Sequence, residues 1–352
     1  MNPQEHKLSY PLADAIPAPG QSLEVASGVY WIRMPLPFAL DHINLWLLRD
    51  NIDGKDGWTI VDCGITRDEV KVLWESVFEH VLQDLPVLRV IVTHMHPDHV
   101  GLAHWLCDRW QAPLWMSMTD YMTARLWSAG DQSGAAGGEG AYRHFYAHGM
   151  RDQESLEKIR ARSSYYKGMV PAVPEQFVRL MDGDKVQING LQWSVIAGYG
   201  HAPEHLSLFC ADKNILISGD MVLPRISTNV SVHNLEPLGN PLPAYLKSLD
   251  RYSGLPVDTL ILPSHGKPFI GLHVRIAQQH EHHRQRLGEV LLACDTPKST
   301  FEIVPVLFKR ELDLHQMTFA MGEAIAHLHA LYFAGQLKRT VLDDGLIQFV
   351  RT

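Results

Sequence analysis

Between Val29 and Gly64 the apolar residues come in short dense runs, VYWIRMPL, HINLWLLRD and GWTIVDCG, with the polar stretch DNIDGKDG before the last. Runs of this length, rich in β-branched and aromatic residues, predict strands, and the polar stretch predicts a turn-rich break. The period then changes. In DEVKVLWESVFEHVL (68–82), Val70, Leu73, Val77 and Val81 fall near helical spacing and predict an amphipathic helix. VLRVIVTH is almost continuously apolar, as expected of a strand buried on both faces. It runs straight into THMHPDHVGL (93–102). HVGLAHWLCDRW then predicts a helix and APLWMS a further strand.

Residues 119–165 read as mostly helical and form an insertion or lid, with a glycine-rich loop, SAGDQSGAAGGEG, at 128–140. Strands resume with FVRLMD, KVQINGLQWSVIAG and SLFCADKNILISGD, in which INGL and ADKN are hairpin turns. PAYLKSLDRYSGL predicts a helix, DTLILPSHG a strand ending in a loop, and GLHVRIAQQHEHHRQRLGEVLLA a long helix. His280, His282 and His283 are expected on a solvated face of that helix. Two strand-rich halves around a helical interlude predict an α+β chain with two sheets packed between helices.

The tail has its own pattern. Phe301–Arg310 is an apolar helix, and in Ala320–Ala334 the residues Met321, Ala324, Ile325, Leu328, Leu331 and Tyr332 share one face. QLKRTVL and LIQFV then flank Asp343-Asp344-Gly345, a strong hairpin signal. Helices followed by a hairpin suggest a small winged-helix domain at 295–352 behind a main domain at 1–294. Such a tail is expected to be a packing or dimerisation module, so truncation near residue 294 should leave activity measurable.

Composition narrows the function. A chain of 352 residues with 46% apolar and 20% charged residues is an ordinary globular protein with a sizeable core. A net charge of −8 argues against a general nucleic-acid or membrane-surface binder. Four widely spaced cysteines without a CxxC pair suit neither a disulfide framework nor a structural zinc site. No basic and apolar leader opens the sequence, and no apolar run approaches the roughly 20 residues that cross a bilayer. The cytoplasm is the expected location.

Twenty histidines stand out, because imidazole is the commonest transition-metal ligand. His94, His96, Asp98 and His99 crowd a strand-to-helix loop, where Pro97 can open the helix without losing a hydrogen bond. Four candidate ligands in six residues either fill one tetrahedral site or divide between two. Division is favoured, because the adjacent Asp98 and His99 cannot easily reach the same ion as both preceding histidines. Further candidates follow apolar runs and lie beside glycine or proline: His201 in GYGHAPEHL, Asp220 in ISGDMVLP and His265 in LILPSHGKP. A carboxylate such as Asp220 could bridge two cations. His42 and His205 lie near these motifs and are candidates for the cleft.

HMHPDH, followed in this order by His201, Asp220 and His265 and preceded by Asp62 in TIVDCG, resembles the HxHxDH hydrolases of the metallo-β-lactamase superfamily over roughly residues 25–290. The resemblance implies an αββα sandwich. It implies one metal held by His94, His96 and His201, a second held by Asp98, His99 and His265, and Asp220 bridging. Asp62 would brace the metal-bearing loops. Two divalent ions are expected, zinc first, with iron or manganese able to bind the same donors. Cations about 3.5–4 Å apart lower the pKa of a shared water towards about 7. A metal-bound hydroxide is then the nucleophile, and Asp98 is placed to orient it.

Thioesterases of the glyoxalase II type and the lactamase-like protein 2 group, with its winged-helix tail, are the branches this chain resembles. They imply a small acyl substrate, with a thioester first. The alternatives are an RNA phosphodiesterase and a mononuclear iron sulfur dioxygenase. Six Lys/Arg against seven Asp/Glu in residues 295–352 make a poor footprint for nucleic acid. A homodimer is left open.

Overall fold

DNIDGKDG is a tighter turn than its composition suggests. In the computed structural model, which describes residues 2–130 and 137–352, Asp53 and Gly54 both take positive φ (53° and 81°) and reverse the chain in two residues. Such a turn matches the strand twist and lets pairing continue to its edge. β1 (Leu23–Ala26), β2 (Val29–Pro35), β3 (His42–Ile52) and β4 (Lys55–Val61) form an antiparallel meander. Helix α1 (Asp68–His80) crosses to β5 (Val87–Ile91), parallel to β4. Helices α2 (Pro97–Val100) and α3 (Ala103–Trp110) lead to β6 (Leu114–Met116), parallel to β5. The expected helical insertion is α4 (Met118–Ala129), α5 (Gly138–Ala147), α6 (Gln153–Ala161) and α7 (Tyr165–Met169). The middle of the predicted glycine-rich loop, 131–136, lies outside the described residues. β7 (Phe177–Arg179) completes this seven-stranded sheet beside β6.

The second sheet holds β8 (Lys185–Ile188), β9 (Leu191–Gly198), β10 (His205–Cys210) and β11 (Ile215–Gly219), joined by the INGL and ADKN turns. After α8 (Pro241–Asp250), β12 (Leu260–Pro263) lies parallel to β11, and β13 (Phe269–Ile270) closes the edge. The tail follows as α9 (Leu272–Ala293), α10 (Thr300–Leu307), α11 (Leu314–Phe333) and the antiparallel hairpin β14 (Leu337–Val341) with β15 (Ile347–Arg351).

The strands alternate, so each sheet has two faces to cover. Trp31, Trp46 and Val61 of the first sheet pack against Trp193, Leu208 and Ile217 of the second. The outer face of the first sheet is covered by α1, α3 and α4 through Trp74, Leu106 and Ala124. The outer face of the second is covered by α8, α9 and α11 through Tyr245, Ile276 and Ile325. Four layers, helices–sheet–sheet–helices, result. No helix among the described residues is long and apolar enough to cross a membrane.

One expectation fails here, and the packing of the tail explains it. Ile303, Leu328 and Phe349 of the tail share a core with Phe145, Leu156 and Ile159 of the insertion, and α11 also enters the core beneath the second sheet. The tail therefore packs against the insertion on one side and the second sheet's helices on the other. The same packing buries His283 instead of solvating it: its Nδ1 lies 3.3 Å from His327 Nε2 of α11. Periodicity shows which face of a helix is polar, not which later element will cover it.

Candidate metal centre

Each candidate ligand lies just beyond the C-terminal end of a strand: His94–His99 after β5, His201 after β9, Asp220 after β11 and His265 after β12. Backbone bonds hold these ends together. Leu206 N–H donates to Thr93 O (2.8 Å), Asn44 N–H to Ser264 O (2.7 Å) and Cys63 N–H to His99 O (2.8 Å). Two glycines set the close approaches. At Gly200 (φ +99°) a Cβ would lie 2.5 Å from Pro241 O, and at Gly219 (φ +54°) it would lie 2.2 Å from His205 Nε2. The glycine just before each ligand is thus required by both backbone angle and space.

The sequence-derived ligands fall into two clusters, His94, His96, His201 and Asp220 in one, and Asp98, His99 and His265 in the other. In the first, His94 Nε2, His96 Nδ1 and His201 Nε2 lie 2.8–3.2 Å from one another. Asp220 Oδ2 is 3.2 Å from His201 Nε2 and 4.0 Å from His94 Nε2. In the second, Asp98 Oδ2 is 3.4 Å from His265 Nε2 and 3.6 Å from His99 Nε2. Asp220 Oδ1 turns this way, 3.4 Å from His265 Nε2 and 3.7 Å from His99 Nε2. One carboxylate therefore offers one oxygen to each cluster.

The far side of most rings is held by a bond that fixes its tautomer. His99 Nδ1 is 2.8 Å from Asp62 Oδ2, His201 Nδ1 donates to Asn229 O (2.8 Å), and His265 Nδ1 donates to His42 O (2.8 Å). Each directs Nε2 at its cluster, the atom a metal ion would take once it displaces any proton there. Asp62 adopts φ +63° and also accepts the Thr93 N–H at 2.8 Å, so it braces β4 against the β5 loop.

The donor set fits divalent metal. His99 Nε2 and Asp220 Oδ1 are buried without a hydrogen-bond partner, a costly arrangement unless a cation completes it. Tetrahedral donors 2.1 Å from one ion lie about 3.4 Å apart, close to the spacings above. Electrostatics agree. Burial and the neighbouring imidazoles hold His94 well below its usual pKa and His96 down to about 3, keeping both neutral. In the other cluster burial is outweighed by carboxylates, so His99 is raised well above normal and His265 to about 10. Rings that draw in a positive charge mark a pocket that favours a cation.

His42 and His205 are not among the side chains lining the cavity over the clusters, and both stand behind ligands. His42 orients His265 and accepts the Gly266 N–H through Nε2 (2.9 Å). His205 accepts the Asp220 N–H (3.1 Å) and packs its ring 4.9 Å from His94. Asp120 escaped the sequence reading. Its carboxylate accepts Met95 N–H (2.8 Å) and Glu204 N–H (2.6 Å), tying the HxHxDH loop to the loop after His201. The only local signal, Ser117 three residues ahead, marks the start of α4 and nothing more.

The clusters floor a cavity of about 270 Å³, at the small end for small-molecule sites. Leu36, Trp127, Met169, Leu223 and Phe319 are among its apolar walls. Phe319 belongs to α11, so the tail helps to build the site.

A four-layer sandwich with His/Asp clusters at the strand ends defines a metallo-hydrolase. The chain belongs to the metallo-beta-lactamase superfamily, whose profile it matches over residues 39–265; residues 287–352 match the metallo-beta-lactamase-like C-terminal domain. It is 55% identical to a beta-lactamase domain protein from Burkholderia ambifaria, with a TM-score of 0.93 over 99% of each chain. A metallo-beta-lactamase family protein from Thermus thermophilus is 27% identical, with a TM-score of 0.77 over 94% of this chain and 100% of the other. The probable metallo-hydrolase YqjP of Bacillus subtilis is 25% identical over 85% of this chain and 91% of its own length.

Proposed function

We propose that the protein is a dinuclear metal-dependent hydrolase of small acyl substrates, thioesters first. The observation that carries this reading is Asp220, whose two oxygens face two separate ligand clusters. His94, His96 and His201 would hold one ion, Asp98, His99 and His265 the other. Zinc suits this imidazole-rich set. Bound cations supply Lewis acidity and a lowered pKa for coordinated water.

The chain's own residues do the rest. Burial would raise the Asp98 carboxyl, but His99 and His265 hold it down to about 2, so it is ionised at neutral pH. It lines the cavity and serves to orient water and accept its proton. Apolar walls keep bulk solvent from the acyl group. A side-chain nucleophile finds no support: burial raises all four thiols, and among the described residues no serine hydroxyl bonds to a histidine. A nucleic-acid substrate fits poorly, since Arg162 is the one Lys or Arg among the described residues lining the cavity.

The test is a panel of thioesters, lactones, phosphodiesters and short RNA, assayed on protein whose metal content has been measured. Two ions per chain with thioester turnover is the expected result. About one iron per chain with oxygen consumption would overturn it.

A further inference from the structure

The cavity over the clusters is apolar except at one place. Arg162, at the C-terminal end of α6, lines it together with Tyr165 and His315. The same three residues also line an outer pocket of about 440 Å³ that contains none of the candidate metal ligands. They therefore sit between the cluster-floored cavity and the outside, away from the reacting end.

The chemistry there is unbalanced. Arg162 Nη1 is buried and has no hydrogen-bond partner among the described residues, and no carboxylate there pairs with this guanidinium. Asp313, the acidic residue of the outer pocket, is committed to capping α11, where it accepts the Gln316 N–H at 2.8 Å. The guanidinium lies over the Tyr165 ring, 5.5 Å from its centroid, and Tyr165 Oη is 3.3 Å from His315 Nδ1. Burial and Arg162 lower the pKa of the His315 ring against the opposing pull of Asp313, so the two side chains nearest the cation are neutral. A guanidinium offers a planar fork of donors that matches carboxylate or phosphate oxygens. A buried donor without an acceptor is completed when a ligand brings one.

We propose that Arg162 anchors an anionic group, carboxylate or phosphate, carried by the substrate on an apolar body remote from the bond that is cleaved. The acyl-hydrolase reading supplies the cleaved bond; the anchor adds the substrate class, an amphipathic acyl compound with one oxyanion. The apolar walls take the body, and the charge at the inner mouth fixes which end reaches the clusters.

The experiment compares wild type with Arg162→Gln. The Arg162 side chain makes no hydrogen bond to a described residue, so the change removes none, and thermal unfolding verifies the fold. S-Ethyl thioesters of an octanoyl chain that ends in a methyl group, a carboxylate or a phosphate give a neutral, a carboxylate and a phosphate series. Wild type is expected to prefer an anionic thioester over the neutral one by about 10–100-fold in kcat/KM, the size of one lost charge-assisted bond. In Arg162→Gln the preference should fall to about one. The series that loses more identifies the oxyanion.

A second arm reads binding without turnover, by titrating hexanoate and hexyl phosphate calorimetrically into both proteins. One of them should bind wild type about 10–100-fold more tightly than the variant. Equal binding of both ligands by the two proteins, or a preference that survives in Arg162→Gln, overturns the anchor. If no thioester is cleaved while the binding difference holds, the hydrolase reading fails and the anchor stands.

Discussion

Replacing Asp62 with Asn tests the division of ligands into two clusters, because Asp62 bonds directly to a residue of only one of them and reaches the other only through the Thr93 hydroxyl, 3.0 Å from His94 Nδ1. The carboxylate accepts on two sides, from the His99 ring at 2.8 Å and from the Thr93 N–H at 2.8 Å, with the Thr93 hydroxyl 2.9–3.1 Å from its oxygens. An amide has one oxygen. Either its NH₂ faces the Thr93 N–H, or it faces His99 Nδ1 and drives the ring to the tautomer that carries its proton on Nε2. The second outcome removes the lone pair aimed at Asp98 and Asp220. Backbone strain does not confuse the comparison, since φ +63° suits Asn as well as Asp. Losing such an orienting partner typically costs about 10–100-fold in metal affinity, or roughly 1.4–2.7 kcal/mol.

In Asp62→Asn, one of the two ions should be released at about 10–100-fold higher free metal than in wild type. The other, facing His94, His96 and His201, should be held nearly as before. The assay dialyses zinc-loaded protein against a series of zinc buffers and counts bound metal by mass spectrometry. Release of both ions at wild-type concentrations would refute the bracing role. Equal weakening of both would refute the division.

The two remaining predictions concern the tail. Glu323 of α11 receives a bond from Asn229 Nδ2 (3.3 Å), and burial pushes its carboxyl from near 4.5 up to about 7. The native state then holds this proton where the unfolded chain has lost it, so its contribution to stability falls as pH rises from about 4.5 through about 7. Glu323→Gln should remove that decline, and between pH 5 and 8 wild type should lose on the order of 1–3 kcal/mol more than the variant in denaturant unfolding. Parallel pH curves would contradict it. Truncation after residue 294 removes Ile303, Ile325, Leu328 and Phe349 from buried cores. At about 1.5–3 kcal/mol each, their loss rivals a whole domain's stability of about 5–15 kcal/mol. The shortened chain should be insoluble or melt without cooperativity, and a soluble fragment with a sharp transition would show the tail to be separable.

The candidate clusters were legible in sequence because their residues follow apolar strands, in segments that contain the glycine or proline that turns the chain. HMHPDH, GYGH, SGD and PSHG each carry that signature locally. The two sheets were legible for the same reason, since runs such as VLRVIV can only be interior strands. What stayed hidden depends on residues far apart in the chain. Nothing near His42 says that its carbonyl will receive the His265 ring, and nothing near His205 says that its nitrogen will meet the Asp220 amide. Asp120 looked like part of a helix start because that is its local role. Phe319 and His315 read as ordinary tail residues until α11 folds back over the cavity.

The separation of the ligands along the chain has a consequence for biosynthesis. His96 and His201 are 105 residues apart, and synthesis at about 5–20 residues per second places roughly 5–20 s between their emergence from the ribosome. His265 follows later still. During that interval the β5 loop can offer a passing cation only two imidazoles of one cluster and two donors of the other. An ion taken up then would be held by an incomplete chelate and would exchange readily. On the proposed ligand division, secure loading would wait until the second sheet has docked on the first, and tightly held metal would certify that both halves of the chain have met.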